Sequence, residues 1–517
     1  MRSPALALVG CLVACGSSGS TDHDKTSGES AAKPDDKQPK GEATSATTAT
    51  AGPAHPMVKK PLDTHPLPAL AKDPGGATGK PIWSTGFGGL GVDAARDIAV
   101  APSGDSYVVG VFDGEMIAGT TKIKAAGDGT KSDAFLVQIG ADGKLGWVKT
   151  WGAKRDDTAN GIAIHGDTIV VVGNYLDEIS LGEVPHKAVG SDDLYVAAFS
   201  AKDGSVKWLW TAGGIDSDGA NTVAATPDGG WVVGGSFSDV IDLPTGHLKS
   251  KGGTDAFLVK LAATGDLEWV KQFGGHYNDT ISHLAVDGQG NIIVQGQFKD
   301  TTDWGGKPLK AGGGSDNDVV LAKYNANGDH LWSQRFGDVM NDVAGGVAVD
   351  PNGNITMVGS FDRRISFGDG DEHKANGESD IFVAHFDGDG KLAWAHTWGA
   401  EREDIAFGVA ADSAGNIVTS GYFQGKIDFG KGELKSKGNK DVFVAKLDKA
   451  GGIVWAQSFG DHDHDQGRGV AVDDKGAAYV TGLYRFKLAV TSPALDSTRA
   501  EDDRIPKPDT FVIKLER

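Results

Sequence analysis

An all-β fold, a seven-bladed β-propeller of four-stranded antiparallel blades, is what this sequence predicts. Three observations carry the prediction. One four-strand phrase recurs along most of the 517 residues, a fourth strand stands alone ahead of the repeats, and three strands without a fourth close the chain. A repeat of this length cannot bury its apolar faces alone, so its copies must stack. Radial stacking of twisted four-stranded sheets makes a propeller, whose edges are short and protected.

The phrase returns every 61 to 64 residues, marked by Trp83, Trp147, Trp208, Trp269, Trp332, Trp394 and Trp455. Shortly after the Trp comes an aromatic–Gly step (Ala212–Gly213 in the third copy), then an Asp, then a short strand with a central Ala. These alanines are Ala99, Ala163, Ala224, Ala285, Ala348, Ala410 and Ala471. Near the axis, where blades converge, only a small side chain fits. A Gly-rich turn such as "DPNGN" leads to a second strand ending in Gly-x-aromatic, as at Gly359 and Phe361. The third strand opens on Asp133, Asp193, Asp255, Asp318, Asp380, Asp441 or Asp509, and a further Gly turn leads to the fourth strand with its Trp. Alternating residues between Gly, Asn and Asp turns are the signature of antiparallel strands. On the outer strand, where blades diverge, a large indole is needed to fill the wedge.

The ends complete each other. "KPIWSTGFGG" is a fourth strand with no preceding three, and "DTFVIKL" at Asp509–Leu515 ends three strands with no fourth. Pairing of about 80–87 with about 509–515 closes the ring and leaves no open sheet edge.

Phrases such as "GVAVDPNGNITMVGSF" (Gly346–Phe361) and "DVFVAKLDKAGGIVWAQSFGD" (Asp441–Asp461) resemble the bacterial SBBP repeat, the seven-bladed propeller repeat of secreted and surface proteins. The resemblance runs from Lys80 to Arg517. It implies a fold; the family has no uniform activity, so no catalytic residue carries over. The last copy departs from the pattern, with "VTSPALDSTRAEDDRIPKP" between its second and third strands. No WD dipeptide closes the units and the sialidase Asp-box spacing is absent.

Ahead of the repeats, "MRSPALALVGCLVAC" has one basic residue and an apolar run too short to span a bilayer, the pattern of an export signal. "LVAC" at Leu12–Cys15 resembles the lipobox of bacterial lipoproteins; "LVGC" at Leu8–Cys11 also fits but leaves a shorter apolar core. The expected organisation is therefore a signal peptide at 1–14, a lipidated Cys15, a tether over 15–79 and the propeller over 80–517. The tether is Ser, Thr, Ala, Lys, Asp, Gly and Pro with few large apolar residues, too polar to fold alone. Its coil dimension is about 45 Å. A diacylated Cys anchors well at a membrane, so the expected location is the bacterial cell envelope, as an outer-membrane lipoprotein.

A formal charge of −20 argues against a nucleic-acid partner. The turns within strand pairs one–two and three–four are stereotyped, whereas the loops entering each first strand differ. Between the aromatic–Gly step and the Asp they read "LGV", "KRD", "IDS", "HYN", "VMN", "ERE" and "HDH". Binding is individualised where a framework is free to vary, so this irregular face is the expected binding surface. Its candidate residues are the leading aspartates Asp93, Asp157, Asp218, Asp279, Asp342, Asp404 and Asp465, with Tyr277 and Arg402. The aspartates have two readings, an acidic ring that binds cations or carboxylates that accept backbone N–H bonds and fix the loops. Sevenfold recurrence favours the second.

His462, Asp463 and His464 in "GDHDHDQG" have metal-ligand chemistry on a short loop. They are the one candidate for a divalent cation, and no other cofactor is expected. "DGDG" at Asp369–Gly370 and Asp387–Gly390 lacks the ligand spacing of an EF-hand. No G-x-S-x-G, H-E-x-x-H, C-x-x-C or P-loop is present. Of twelve tryptophans, Trp210, Trp231 and Trp304 lie outside the repeated positions, and one of them is expected at the surface. The leading expectation is a monomeric, membrane-anchored, non-enzymatic propeller that binds a protein or a glycan through its irregular face. Two alternatives stand beside it: a lyase or hydrolase acting on polysaccharide at the axis, and a scaffold for envelope assembly.

Overall fold

The computed structural model of the protein describes residues 76–517 apart from 128–129, 183, 314–315, 369 and 499–505. The expected signal peptide, Cys11, Cys15, the tether up to residue 75 and Asp369 lie outside the described residues. From Pro81 onward the repeats form seven four-stranded antiparallel blades. In blade 5 the strands are Asp342–Val349, Ile355–Phe361, Asp380–Phe386 and Leu392–Trp398, paired in chain order. The first strands of all seven blades, from Asp93–Val100 to Gln466–Val472, touch their neighbours in a closed ring around the axis.

Burial follows from stacking. The second and third strands of blade 5, ITMVGSF and DIFVAHF, are buried along their whole length, because a neighbouring blade covers each face. The apolar core accordingly divides into seven clusters, each drawn from two adjacent blades. The recurrent Ala of the first strand is half-buried or buried, and Ala163, Ala224, Ala285 and Ala471 pack against these clusters.

Each recurrent Trp lies on one particular neighbour. Its ring covers the glycine of the next blade's turn between strands three and four: Trp83 on Gly143, Trp147 on Gly204, Trp208 on Gly265, Trp269 on Gly328, Trp332 on Gly390, and Trp394 on Gly451. A Cβ at these glycines would lie 2.8 to 3.1 Å from ring atoms, and every one has φ between +67° and +89°. Both requirements select Gly. Four of the indoles also donate Nε1–H to a carbonyl of that turn, as Trp208 does to Ala263 at 3.1 Å.

The seventh contact is made by the chain ends. Pro81–Gly89 pairs with Asp509–Leu515 in antiparallel register, Trp83 opposite Lys514 and Phe87 opposite Thr510. Gly79, at φ +63°, then meets the ring of Trp455 as the turn glycines meet theirs. Even the turn's hydrogen bond is rebuilt across the break. Glu516 N–H donates to Lys80 O at 2.8 Å, as Asp448 N–H donates to Gly452 O at 2.8 Å within blade 6. The expected closure is thus present.

The segments between second and third strands are more regular than their composition suggests. Blades 1, 4, 5 and 6 carry short hairpins there, for example Lys426–Asp428 with Glu433–Lys435. In blades 2 and 3 the strands run on into the excursion. The divergent segment of blade 7 still pairs Lys487–Leu488 with Leu495–Asp496.

Deleting residues 81–89 is expected to replace one sharp melting transition by a broad, lower one, because every blade loses its closed ring. Gly265→Ala and Gly229→Ala test the indole contact within one blade. Both glycines have φ near +85°, but only Gly265 faces a ring, Gly229 having no atom within 4 Å. Each substitution carries about 1–2 kcal/mol of left-handed strain. Gly265→Ala should lower the melting temperature further by circular dichroism, and equal shifts would show that the ring yields freely.

Candidate functional site

All seven leading aspartates are fully buried. They lie beneath the irregular face and do not line it, which corrects their expected place on a binding surface. Each accepts the N–H four residues earlier, from Gly89 to Asp93 at 2.7 Å through Asp461 to Asp465 at 3.0 Å. The other oxygen usually holds the start of the excursion after strand two, as in Gln424 N–H to Asp404 at 2.9 Å. Two irregular loops are thereby tied to one carboxylate, the structural role that their recurrence favoured. Tyr277 and Arg402 are exposed at loop tips.

The third-strand aspartate of the preceding blade approaches across the aromatic–Gly step. A Cβ on Gly337 would lie 2.4 Å from Asp342 Oδ2 and 2.9 Å from Asp318 Oδ1. Burial pushes the Asp342 carboxyl up to about 9, with the neighbouring Asp318 adding to it. Burial likewise raises Asp218 to about 8, and Asp157, Asp279, Asp404 and Asp465 to about 7. Backbone N–H donors pull in the opposite direction but do not prevail.

His462 and His464 do not converge. His462 packs on Phe486, ring centres 4.2 Å apart, while His464 Nδ1 is bonded to Asp463. Among the described residues no group of three or more His, Cys, Asp or Glu side chains is placed to hold a metal ion. Asp387 accepts the N–H groups of Asp389 and Lys391, as a turn does. Trp231 and Trp304 are buried and Trp210 is half-buried, so none of the three is the exposed ring that was expected.

Residues three places after the leading aspartates lie on the first strands, which ring the axis. The first strand of every blade skips one register position there, leaving Arg96, Asn160, Asn221, Ser282, Gly345, Phe407 and Arg468 outside the ladder. Such bulges re-aim a side chain. Their contacts run around the ring: Arg96 donates to Asn160 Oδ1, and Asn160 Nδ2 to Ala220 O at 2.9 Å. Asn221 Nδ2 donates to Ile281 O at 3.0 Å, and the Arg468 guanidinium stands 4.6 Å from the centre of the Phe407 ring. A period-two reading of the strand misses them; the signal was that this position varies from Arg to Gly.

Blade 6 carries a polar group on this side. Lys440 Nζ lies 2.6 Å from Glu403 Oε2 and 2.8 Å from the Tyr422 hydroxyl, which donates to Glu403 at 2.7 Å. The Tyr422 ring reaches Phe407, with centres 5.8 Å apart, joining this group to the axial ring.

The opposite, short-turn face opens into a cavity of about 320 Å³ bordered by Asp350, Asp412 and Asp473. These acids are committed: Asp412 meets Lys446 at 2.9 Å and Asn416 at 3.0 Å, and Asp473 meets Lys514 at 3.4 Å. The Lys of "DVFVAKL" is therefore a strut beneath the turn, a role the sequence pattern alone did not suggest.

On the irregular face, loop tips at equivalent positions expose large apolar groups. Ile215 is 76 % exposed, Leu90 50 %, Tyr277 49 %, Met340 42 % and Val339 37 %. They belong to the loops entering blades 1, 3, 4 and 5, while those entering blades 2, 6 and 7 are charged or carry His. The apolar tips thus stand on the consecutive blades 3, 4 and 5 and, separately, on blade 1.

The SBBP beta-propeller repeat matches residues 268–294, from the fourth strand of blade 3 into the second strand of blade 4. Regulatory protein FlaEY of Caulobacter vibrioides is 25% identical over 243 residues, 45% of this chain and 25% of that protein. An uncharacterized WD repeat-containing protein, L264, of Acanthamoeba polyphaga mimivirus is 24% identical over 157 residues, 28% of this chain and 11% of that protein. The matches thus span a quarter or less of these curated relatives. Among solved structures, quinohemoprotein alcohol dehydrogenase from Comamonas testosteroni aligns with a TM-score of 0.41 at 12% identity, covering 84% of this chain and 76% of that one.

The buried acid pairs predict a pH response. A folded carboxyl that keeps its proton to about pH 7 or above, while the unfolded chain releases it near the ordinary value, favours folding fully at low pH. That contribution is lost as pH rises through the folded value. The melting temperature should therefore fall between pH 5 and pH 9, and Asp342→Asn should cost less at pH 9 than at pH 5. A melting temperature that climbs over this range would contradict it.

Proposed function

We propose that this chain, an SBBP-repeat β-propeller, is an envelope binding module that seats a protein partner on its irregular face. The observation that supports this reading is the run of exposed loop tips over the consecutive blades 3, 4 and 5: Ile215, Tyr277, Val339 and Met340. Contiguous exposed apolar groups rimmed by polar ones mark interaction surfaces, and aromatic and Met residues are enriched in interface cores. The similarity to a regulatory protein is consistent with partner binding. In this reading Cys15 carries the lipid, and the tether holds a monomeric, non-enzymatic propeller clear of the membrane with its loop face available.

A second reading, a polysaccharide-acting lyase or hydrolase at the axis, draws support from the Glu403–Tyr422–Lys440 group beside the mouth. Its weakness is that the Lys440–Glu403 ion pair satisfies both charges in the resting protein. Turnover of an acidic polysaccharide by the native chain, abolished in Tyr422→Phe, would favour it.

For the binding reading, the full-length chain and an Ile215→Ser/Tyr277→Ser/Met340→Ser variant are compared for saturable capture of envelope proteins. The variant should lose at least about tenfold in affinity for the captured protein, as expected when interface anchors are truncated. Equal capture by both chains would refute the role of these tips, and retention of glycans alone would move the partner class.

A further inference from the structure

We infer that the loop entering blade 5, Asp338 to Asn341 with its exposed Val339 and Met340, is a proton-dependent latch. One proton shared between Asp318 and Asp342 seats it, and loss of that proton releases it. The inference rests on the proposed binding face and adds its regulation.

Three observations lead to it. First, the two carboxyls meet across Gly337, where an added Cβ would lie 2.4 Å from Asp342 Oδ2 and 2.9 Å from Asp318 Oδ1. Both side chains are fully buried, and Oδ1 of each has no hydrogen-bond donor among the described residues. Buried acceptors without donors are costly. A proton on one carboxyl makes it a donor to the other and satisfies both.

Second, this loop is the least tied of the seven. Its N–H contact, Asp338 to Asp342, is 3.3 Å long, against 2.7 to 3.0 Å at the other six leading aspartates. Elsewhere a second donor steadies the aspartate, as Gln424 N–H does for Asp404 at 2.9 Å and the Thr302 hydroxyl for Asp279 at 2.7 Å. In blade 5 the corresponding N–H, of Asp362, stays outside hydrogen-bond geometry and is the weakest influence on the Asp342 carboxyl. The pair Asp93 and Asp509 has the same two orphaned oxygens, but its loop N–H is held at 2.7 Å.

Third, the surrounding groups decide which side moves. Asp318 is fixed by Arg335 at 2.6 Å and by Gly312 N–H at 3.0 Å, and it pairs with Phe298 in the sheet. Arg335 offsets one carboxylate only, while Asp338 and Asp362 add like charge around the pair. Burial, with Asp318 beside it, raises the Asp342 carboxyl to about 9. The latch is therefore shut at neutral pH and opens as pH rises through that value. Asn341 still accepts the Asn317 N–H at 3.1 Å, so release is confined to Asp338, Val339 and Met340.

Hydrogen exchange of the full-length chain, read at single-amide resolution and corrected for the intrinsic effect of pH, tests the latch. The amide of Asp338 is compared with its counterpart in blade 4, Gly275, from pH 6.5 to pH 10. Protection of Asp338 should fall about tenfold or more, and that of Gly275 should change far less. Asp342→Asn places a permanent N–H donor beside Asp318, so Asp338 should stay protected throughout. Arg335→Gln removes the cation that favours ionisation, so release should move to higher pH; a merely structural loss would lower protection at pH 6.5 already. Constant protection of Asp338 in the native chain, an equal fall at Gly275, an unaltered fall in Asp342→Asn, or a loss at pH 6.5 in Arg335→Gln would overturn the proposal. Should Asp342→Asn not fold, Arg335→Gln decides. Capture of envelope proteins is measured over the same pH range. If Asp338 loosens through Asp342 while capture stays constant, the latch stands and this loop has no part in binding. If capture changes with pH while Asp338 keeps its protection, the latch fails and the binding face stands.

Discussion

The fold depends on one contact made seven times, an indole of one blade lying on a glycine of the next. The glycine must have no side chain, since a Cβ would enter the ring, and it must turn with positive φ, which only Gly does cheaply. The indole is the complement, a plate large enough to fill the wedge between diverging outer strands. The indole and the glycine belong to different blades, so the contact forms only when blades stack. It also explains closure in physical terms. Gly79 and Lys80 from one end, with Glu516 from the other, rebuild the turn on which Trp455 rests. The ring therefore has no blade that lacks its neighbour.

Beneath the irregular face the same economy recurs with polar groups. Asp157, Asp218, Asp404 and Asp465 each tie the loop entering their blade to the segment after its second strand, so variable segments hang from a recurrent carboxylate. Burying that carboxylate beside the third-strand acid of the preceding blade raises its proton affinity. Fixing loops and responding to pH thus arise from one arrangement. On the other face, buried lysines under the short turns, such as Lys446 on Asp412, use charge to lock a turn. A buried pair of this kind is weak evidence for net stability, but removing either partner leaves an uncompensated charge.

What the sequence made legible followed from repetition. Trp, Ala, turn glycines and the matching deficits at the ends could be lined up by eye, and they determine blade number and closure. The seven aspartates were legible in role but not in exposure, because a strand-start Asp can point either way until the loop above it is placed. The axial ring was hidden for a sharper reason. A one-residue register skip reverses the side on which Arg96 and Arg468 emerge, and a period-two pattern has no mark for it. Tyr422 lies 19 residues along the chain from Glu403 and 18 from Lys440. Only the pairing of Ile405 with Tyr422 and of Tyr422 with Val442 brings the three together.

These two classes of position divide labour in a repeat protein. A residue required by stacking is required in every blade, so a change there meets the same penalty wherever it falls. A residue outside that requirement carries no such penalty and can differ from blade to blade. Chemistry that breaks sevenfold symmetry must therefore collect at positions the stack leaves free: loop tips, the bulged residue of the first strand, and the end of the second strand. Arg96, Phe407, Tyr422, Arg468 and the apolar tips occupy those positions. These positions are drawn from several blades, so the asymmetry is spread around the ring. A closed ring of recurrent contacts carries that asymmetric surface.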